Sequence, residues 1–181
     1  MSSNISPGGW LVERERPMST LLGSCVAVCM FDPGVQLGGM NHFMLPTMKR
    51  GSGDDVDSVL SGDYAMEVLL NGLIGRGALR QRIRAKAFGA GTIISSLAAT
   101  GIGQRNAEFA RDWLEREKIP LLASDFLGPW SRKILFVPAT GDAYCRRMPT
   151  TLATAQEIAR EEAVYAESLL RKPPASNVEL F

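Results

Sequence analysis

Apolar residues recur at the three-to-four-residue interval of an amphipathic helix in three stretches of the chain. The first stretch carries Asp63 and Glu67 at its amino end, where acidic side chains favour the helix dipole. The third begins with threonines that can cap a helix, and it stops at the Pro173-Pro174 pair. The pattern therefore predicts three helices, over 63–79, 104–118 and 151–171.

Shorter apolar segments, rich in β-branched and aromatic residues, are typical of strands. The segments 24–31 and 37–45 are separated by the turn residues Asp-Pro-Gly at 32–34, which predicts a β-hairpin. A second hairpin is predicted around the Thr-Gly-Asp sequence at 140–142. Other strands are predicted over 8–15, 18–22, 83–88, 121–125, 133–138 and 143–148.

The order of these elements, β-β-α-β-α-β-β-β-α, lacks the strict alternation of a doubly wound parallel sheet. We therefore expect an α+β fold of mostly antiparallel sheets with about three helices. The polar, glycine-rich stretch 46–62 is expected to be a mobile loop. The chain has 181 residues, of which 45% are hydrophobic, so we expect a single domain over 1–172 and a loosely held tail over 173–181.

Charge and composition narrow the classes of function. The formal net charge is +1 with both signs well mixed, so nothing favours nucleic-acid binding. No apolar run approaches the roughly 20 residues of a membrane span, and the first residues lack the pattern of a signal peptide. The three cysteines are too few for a disulfide scaffold. These features lead us to expect a cytoplasmic protein with no direct membrane insertion.

The first predicted hairpin brings the single histidine of the chain close to a cysteine. A two-residue turn would place Cys25 directly opposite His42, with their Cβ atoms about 4.5 to 5.5 Å apart. An imidazole at that distance can accept the thiol proton and leave a nucleophilic thiolate. Gly23 and Ser24 precede the cysteine and would let backbone N–H groups approach a developing oxyanion.

Hydroxyl groups near this pair offer further candidate roles. The side chains of Ser19, Thr20 and Ser24 can orient the histidine or the substrate. Two other interpretations stay open. Cys25 can be a small core residue with a satisfied histidine nearby, or a Cys₃His zinc site can form from Cys25, Cys29, His42 and Cys145, although the spacing of the first two cysteines is unusual for zinc.

Three other motifs carry weaker signals. The sequence at 101–106 begins like a dinucleotide fingerprint but has Asn106 in place of the third glycine. The Phe-Gly-Ala-Gly sequence at 88–91 indicates a strand end where two backbone segments pass closely. The basic stretch 76–86 can face an acidic partner helix, although a solvated surface is the simpler interpretation.

The segment 21–46, LLGSCVAVCMFDPGVQLGGMNHFMLP, resembles the signature of the CheD family of chemoreceptor glutamine deamidases. The resemblance continues through YAMEVLLNGL, AKAFGAG, IGQRN, KILFVPATG and the terminal VELF, so it covers most of the chain. It implies a layered α/β/β sandwich. It also implies hydrolysis of particular glutamine side chains in the cytoplasmic helices of methyl-accepting chemotaxis receptors, with methyl-ester hydrolysis in some members.

The resemblance also assigns roles to residues and partners. It implies Cys25 as the catalytic cysteine and His42 as its histidine, with no metal or organic cofactor. The family's third residue, commonly threonine, falls on Ser19, with Thr20 adjacent. A CheC-type phosphatase is a further partner of some relatives.

The chain departs from the family pattern at 125–133, DFLGPWSRK, where a glycine-richer stretch ending in Gly-Arg is expected. This departure concerns the shape of one loop. Two rival functions remain: a non-catalytic module that binds receptor or phosphatase, and a thiol esterase that acts on small molecules.

Overall fold

The computed structural model describes residues 1–46, 55–93, 101–149 and 151–171. Its helices are α1 (Asp55–Gly75), α2 (Ile102–Arg116) and α3 (Leu152–Arg171), with a short 3₁₀ turn at Arg80–Arg82. Its strands are β1 (Ser3–Asn4), β2 (Trp10–Glu13), β3 (Met18–Leu22), β4 (Val26–Asp32), β5 (Leu37–Asn41), β6 (Arg84–Gly89), β7 (Leu121–Phe126), β8 (Ser131–Val137) and β9 (Asp142–Met148).

The strands form two sheets. One has the order β2-β5-β4-β6-β7 and the other β1-β3-β8-β9. Every pairing is antiparallel except β1 with β3 and β6 with β7. Both predicted hairpins form, β4 with β5 and β8 with β9. Strand β4 lies at the centre of the larger sheet and all seven of its residues are buried, which explains its unbroken apolar sequence.

Two adjacent glycines of β5 show how the layers pack. A Cβ added to Gly38 would lie 3.0 Å from the Phe136 ring of the smaller sheet, whereas one added to Gly39 would lie 2.7 Å from Leu69 of α1. Successive residues of a strand face opposite sides of its sheet. The larger sheet is therefore covered by the smaller sheet on one face and by helices on the other. The expected α+β fold and its α/β/β layering are confirmed.

Helix α1 starts earlier than predicted. Residues 55–62, assigned from sequence to a mobile loop, belong to the helix. Gly62 lies inside this helix. A Cβ there would stand 2.5 Å from the Phe109 ring and 2.7 Å from Leu45, so the glycine permits close packing. The rest of the predicted loop, over 47–54, is outside the described residues. Ile74 falls at the helical spacing of the apolar residues in the first predicted helix, yet it is 40% exposed.

The register of the β4–β5 hairpin differs from the prediction by two residues. The turn contains four residues, 33–36, and Val26 lies opposite Phe43. The prediction that Cys25 is directly opposite His42 is therefore wrong. Because side chains alternate with a period of two, a shift of two residues still leaves both on the same face, as diagonal neighbours.

The wider turn is explained by the hydrogen bonds and the ion pair of the Asp32 carboxylate. Its carboxylate accepts hydrogen bonds from the N–H groups of Gly34 and Leu79, each at 2.8 Å, and it pairs with Arg82 at 2.9 Å. These contacts hold the pKa of the buried Asp32 carboxyl below its usual value despite the opposing effect of burial. Asp32 therefore ends the strand, and the turn begins one residue later than the sequence suggested.

No described helix is both long and apolar enough to cross a bilayer. The single-domain assignment over 1–172 stays a prediction, and residues 173–181 lie outside the part of the chain that the structure describes.

Candidate active site

Cys25 and His42 face the space between the two sheets. His42 follows β5 on the same face as Gly38, and Cys25 precedes β4 on the same face as Phe31, whose ring lies 6.3 Å from that of Phe136. Both side chains are buried. The loop before β2 fixes the histidine backbone, since Gly8 N donates to its carbonyl at 2.8 Å and its own N–H donates to Gly9 O at 3.0 Å.

A hydroxyl from the smaller sheet orients the imidazole. Thr20 of β3 donates its hydroxyl proton to the carbonyl of Ile5 at 2.6 Å, and its Oγ1 lies 2.8 Å from Nδ1 of His42. Because that single proton is already donated, the oxygen accepts the Nδ1–H proton. This arrangement leaves Nε2 of His42 as an unprotonated acceptor.

The imidazole is neutral in this environment. Burial lowers the pKa of His42 to about 4, because a charged ring would lose its hydration. Among the described residues, Nε2 of His42 has no hydrogen-bond partner. A buried, unpaired imidazole nitrogen is suited to accept a proton from a neighbouring group.

Ser19, the other hydroxyl considered, lies elsewhere. Strand β3 alternates, so Thr20 faces inward while Ser19 faces outward, with its Oγ 3.0 Å from Oγ of Ser2. The structure therefore brings Thr20, and not Ser19, to His42.

Three consecutive backbone N–H groups converge on one carboxylate beside Cys25. The amides of Gly23 and Cys25 donate to Oε1 of Glu162 at 3.0 and 3.2 Å, and the amide of Ser24 donates to Oε2 at 3.2 Å. The hydroxyl of Ser24 donates the fourth hydrogen bond to this carboxylate, to Oε2 at 2.5 Å. Successive N–H groups arranged in this way form an anion-binding nest. The sequence predicts backbone donors at Gly23 and Ser24, whereas nothing in it indicates Glu162.

The glycine-rich strand end at 88–91 holds the cysteine loop. Ala90 N donates to Cys25 O and Gly91 N donates to Gly23 O, both at 2.8 Å. Gly89 has φ +118°, and a Cβ there would stand 2.2 Å from Cys25 O. The predicted close approach of two backbone segments is confirmed. With its carbonyl groups held by β6 and the residues after it, the loop directs its N–H groups toward Glu162.

Asn106 joins the two segments that carry the thiol and the imidazole. From α2, its Nδ2 donates to Ser24 O at 2.9 Å and its Oδ1 accepts from Leu45 N at 2.8 Å. The residue is completely buried. The sequence places Asn106 in a defective nucleotide motif and in the IGQRN segment of the family resemblance, and neither indicates a role for its side chain. Its positioning role depends on contacts with two distant loops.

The three cysteines lie in different environments. Burial, followed by the charge of Glu162 and a hydrogen bond to it, raises the pKa of the Cys25 thiol well above its usual value. Burial also raises the pKa of Cys29, which belongs to the core. Cys145 lies in the smaller sheet and its Sγ is 3.6 Å from Oδ2 of Asp125. No group of three or more metal-binding side chains is found within the described ranges, and the four residues of the zinc alternative do not form one.

A buried ion pair shapes the loop where the chain departs from the family pattern. The carboxylate of Asp125 pairs with the buried Arg132 at 2.9 Å and with Arg147 at 2.5 Å. Hydrogen bonds from Arg147 and Arg132 hold the pKa of Asp125 well below its usual value. The guanidinium of Arg132 also donates to the carbonyl of Leu127. This loop supports the site, since Gly128 O accepts from Thr92 N at 2.9 Å.

A cleft of about 190 Å³ opens next to the cysteine loop. Ser24 of the cysteine loop lines this cleft together with Gly91, Gly103 at the start of α2 and Leu127. The cysteine loop therefore borders the cleft through Ser24 and contacts α3 through Glu162.

A buried thiol and a neutral imidazole lie on one face of a sheet, next to a backbone anion site, and these are the groups that a cysteine hydrolase would need. The comparisons give the family. The family described as "CheD chemotactic sensory transduction" matches residues 44–147. The chain belongs to the CheD family.

Relatives of full length have the same family name. The chain is 62% identical to "Probable chemoreceptor glutamine deamidase CheD 2" of Dechloromonas aromatica, over all of this chain and 93% of that protein. It is 46% identical to the protein of the same name from Burkholderia thailandensis, over 98% and 91% of the two chains. It is 41% identical to "Probable chemoreceptor glutamine deamidase CheD" of Xanthomonas campestris pv. campestris, over 100% and 89%.

Among solved structures, hypothetical protein YfiH of Bacillus licheniformis aligns with a TM-score of 0.41 and 16% identity, over 64% of this chain and 49% of that one.

Proposed function

We propose that this protein is a chemoreceptor glutamine deamidase that uses Cys25 as nucleophile and His42 as general base and acid. The observation that carries the proposal is the nest at 23–25. Its N–H groups hold a carboxylate directly beside the Cys25 thiol, which is where the carbonyl group of a substrate amide has to lie for attack by sulfur.

The first half of the reaction removes ammonia. His42 accepts the thiol proton at Nε2, and the Cys25 sulfur forms a bond to Cδ of the glutamine while the nest stabilises the oxyanion. The imidazolium then protonates the departing nitrogen, and the C–N bond breaks to leave a thioester and ammonia. The hydrogen bond to Thr20 keeps a proton on Nδ1 of His42 throughout, so Nε2 is the nitrogen that accepts and releases the transferred proton.

The second half uses water as co-reactant. His42 removes a proton from water as its oxygen bonds to the thioester carbon, and the C–S bond breaks to restore the thiol and release glutamate. A methyl ester at the same position would leave as methanol by equivalent steps, so esterase activity is part of the proposal. We further propose receptor cytoplasmic helices as the substrate and a cytoplasmic location. We also propose a CheC-type phosphatase as an additional partner, as the family resemblance implies.

Incubation of the full chain with the cytoplasmic fragment of a methyl-accepting receptor tests this proposal. We expect ammonia release together with glutamine-to-glutamate conversion at defined receptor positions, read by peptide mapping. A Cys25→Ala protein should leave the receptor unchanged. If the wild-type protein binds the fragment without any conversion, the non-catalytic adaptor is the better account. Glutamine-to-glutamate conversion by Cys25→Ala at the wild-type rate would rule out the thiol mechanism.

A further inference from the structure

Helix α3 places one charged side chain in an otherwise apolar contact face. Ile158 is buried, and Tyr165 and Ala166 pack against the core at the spacing of one helical stripe. Glu162 lies in the middle of that stripe and is 2% exposed. A leucine would be the ordinary residue at such a position, because an ionised carboxylate is costly to bury.

The bonds of this carboxylate all come from the cysteine loop. No ion pair joins Glu162 to a cation within the ranges that the structure describes. Besides the Cys25 thiol, its donors are three backbone N–H groups and one hydroxyl, from Gly23, Ser24 and Cys25. The carboxylate is thus held by the groups to which we assigned the oxyanion of the reaction.

Two glycines allow the helix to approach this closely. A Cβ on Gly23 would stand 2.7 Å from Ile158, and one on Gly8 would stand 2.8 Å from the Tyr165 ring. Both glycines border the catalytic pair, one in the cysteine loop and one bonded to His42 O. The surface against which α3 packs, at Gly8 and Gly23, therefore leaves room for a helix.

The product of the proposed reaction is a glutamate side chain on a receptor helix. Glu162 is a glutamate side chain on a helix, with its carboxylate in the nest and against the thiol. We propose, on the basis of the proposed function, that α3 occupies the groove of the substrate helix and that Glu162 stands in the position of the product. The groove then accepts a helix with its glutamine in register with Glu162 and an aliphatic residue four positions before it, as Ile158 is.

This arrangement also makes the described form a closed one. The thiol of Cys25 interacts with the carboxylate of Glu162, while Nε2 of His42 has no partner among the described residues. The proton transfer that starts the reaction cannot occur in this pairing, and a receptor helix has to displace α3 before it reaches the thiol. Displacement lowers the apparent affinity for the receptor by the fraction of time that the groove is open.

Replacing Glu162 with glutamine turns the proposed product into a substrate within the same molecule. In E162Q, the thiolate of Cys25 should attack Cδ of residue 162, ammonia should leave with a proton from His42, and water should cleave the thioester. The result is glutamate at position 162, regenerated without any receptor. Because both partners belong to one chain, the conversion should follow first-order kinetics with a rate constant independent of protein concentration.

The chain provides its own internal control. Cleavage after Arg147, Arg160 and Arg171 separates residue 162 from the exposed Gln156 of the same helix, so mass spectrometry reads each site on its own peptide. We expect conversion at residue 162 and none at Gln156. The double variant Cys25→Ala with Glu162→Gln should keep both glutamines, and thermal unfolding of each variant verifies that the fold is retained.

The receptor assay, run in parallel, separates this inference from the proposed function. Conversion of residue 162 that depends on Cys25 supports the inference. If folded E162Q deamidates the receptor fragment but keeps its own glutamine, the inference is overturned and the function stands. If E162Q keeps its glutamine and neither E162Q nor Glu162→Ala modifies the receptor fragment, both are overturned.

A matched pair of alanine variants measures the closed state directly. Glu162→Ala should speed receptor deamidation and alkylation of Cys25 by iodoacetamide, each by several-fold or more. Glu161→Ala, at the exposed neighbouring position, should leave both rates unchanged. Equal rates for Glu162→Ala and wild type would show that α3 is only a structural cover.

Discussion

Oγ1 of Thr20 lies 2.8 Å from Nδ1 of His42 and links the two sheets at the candidate site. The threonine belongs to β3 of the smaller sheet, and the histidine follows β5 of the larger one. Their hydrogen bond sets the tautomer of the proposed base, because the threonine proton is already donated to Ile5 O. The packing of the sheets therefore controls which imidazole nitrogen can act.

Thr20→Val should remove this control with little change in side-chain shape. We expect kcat to fall by about 10- to 100-fold, with a smaller change in KM, because the imidazole can rotate or take the other tautomer. Thr20→Ser should recover most of the rate, and Ser19→Ala should retain it. A Thr20→Val protein with wild-type kcat and pH profile would show that the hydroxyl is only structural.

Cys25→Ala should abolish deamidation, with a loss of at least about 10³-fold in kcat, while the melting temperature stays close to that of wild type. Cys145→Ala is the matched control, since that thiol lies in the smaller sheet against Asp125, and it should keep its activity. Receptor peptide mapping measures both. Loss of activity in the Cys145 variant alone would place the nucleophile elsewhere.

Gly89→Ala should distort the cysteine loop. The new Cβ would stand 2.2 Å from Cys25 O, and the backbone at φ +118° disfavours any side chain. We expect a loss of at least about 2 kcal/mol of unfolding free energy and a large loss of kcat. Gly75→Ala, where a Cβ meets nothing within 4 Å, should be neutral or slightly stabilising. Urea denaturation compares the two, and equal stability would contradict the close contact.

Asn106→Ala should loosen both segments of the site. It leaves the carbonyl of Ser24 and the amide of Leu45 without their partner in a buried region. We expect a loss of about 2 to 4 kcal/mol in unfolding free energy, and lower kcat in the protein that remains folded. Asp112→Ala on the same helix, at an exposed position away from the cleft, should change neither. Thermal denaturation and receptor turnover are the two measurements. An Asn106→Ala protein as stable as wild type would argue against the role of Asn106 in joining the two segments.

Stability should depend on pH through His42. Its pKa is about 4 in the folded protein against 6.5 for the free side chain, so the unfolded chain binds a proton that the folded chain does not in this window. The free energy of unfolding should therefore fall as pH drops from 6.5 toward 4, by roughly 3 kcal/mol. His42→Gln should lack this dependence, as followed by urea denaturation at about pH 7 and about pH 5.

The two arginine-paired aspartates do not interfere in that window. The carboxyls of Asp32 and Asp125 have pKa values lowered by their arginine partners. Their contribution is present above the ordinary aspartate pKa of 3.8 and disappears only as pH falls below it. An equal slope for wild type and His42→Gln between pH 7 and pH 5 would contradict the buried neutral imidazole.

Much of the fold follows from local patterns. The apolar run of β4, the two hairpins and the amphipathic faces of α2 and α3 were predictable because burial imposes a period of two on strands and about 3.6 on helices. Details set by single side chains were not. The carboxylate of Asp32 accepts hydrogen bonds at a turn that is wider than predicted, and Gly62 permits close packing within a helix that begins in a segment assigned from composition to a loop.

For the site, the sequence by itself determined the chemical groups: one thiol beside a glycine-serine pair, one imidazole on the partner strand, and a nearby hydroxyl. Only the tertiary structure decided which hydroxyl meets the imidazole, which side chain clamps the loops and what fills the anion nest. Thr20, Asn106 and Glu162 lie 22, 82 and 137 positions from the residues they contact. Local periodicity constrains neighbours along the chain, whereas these contacts depend on how separate sheets and helices pack.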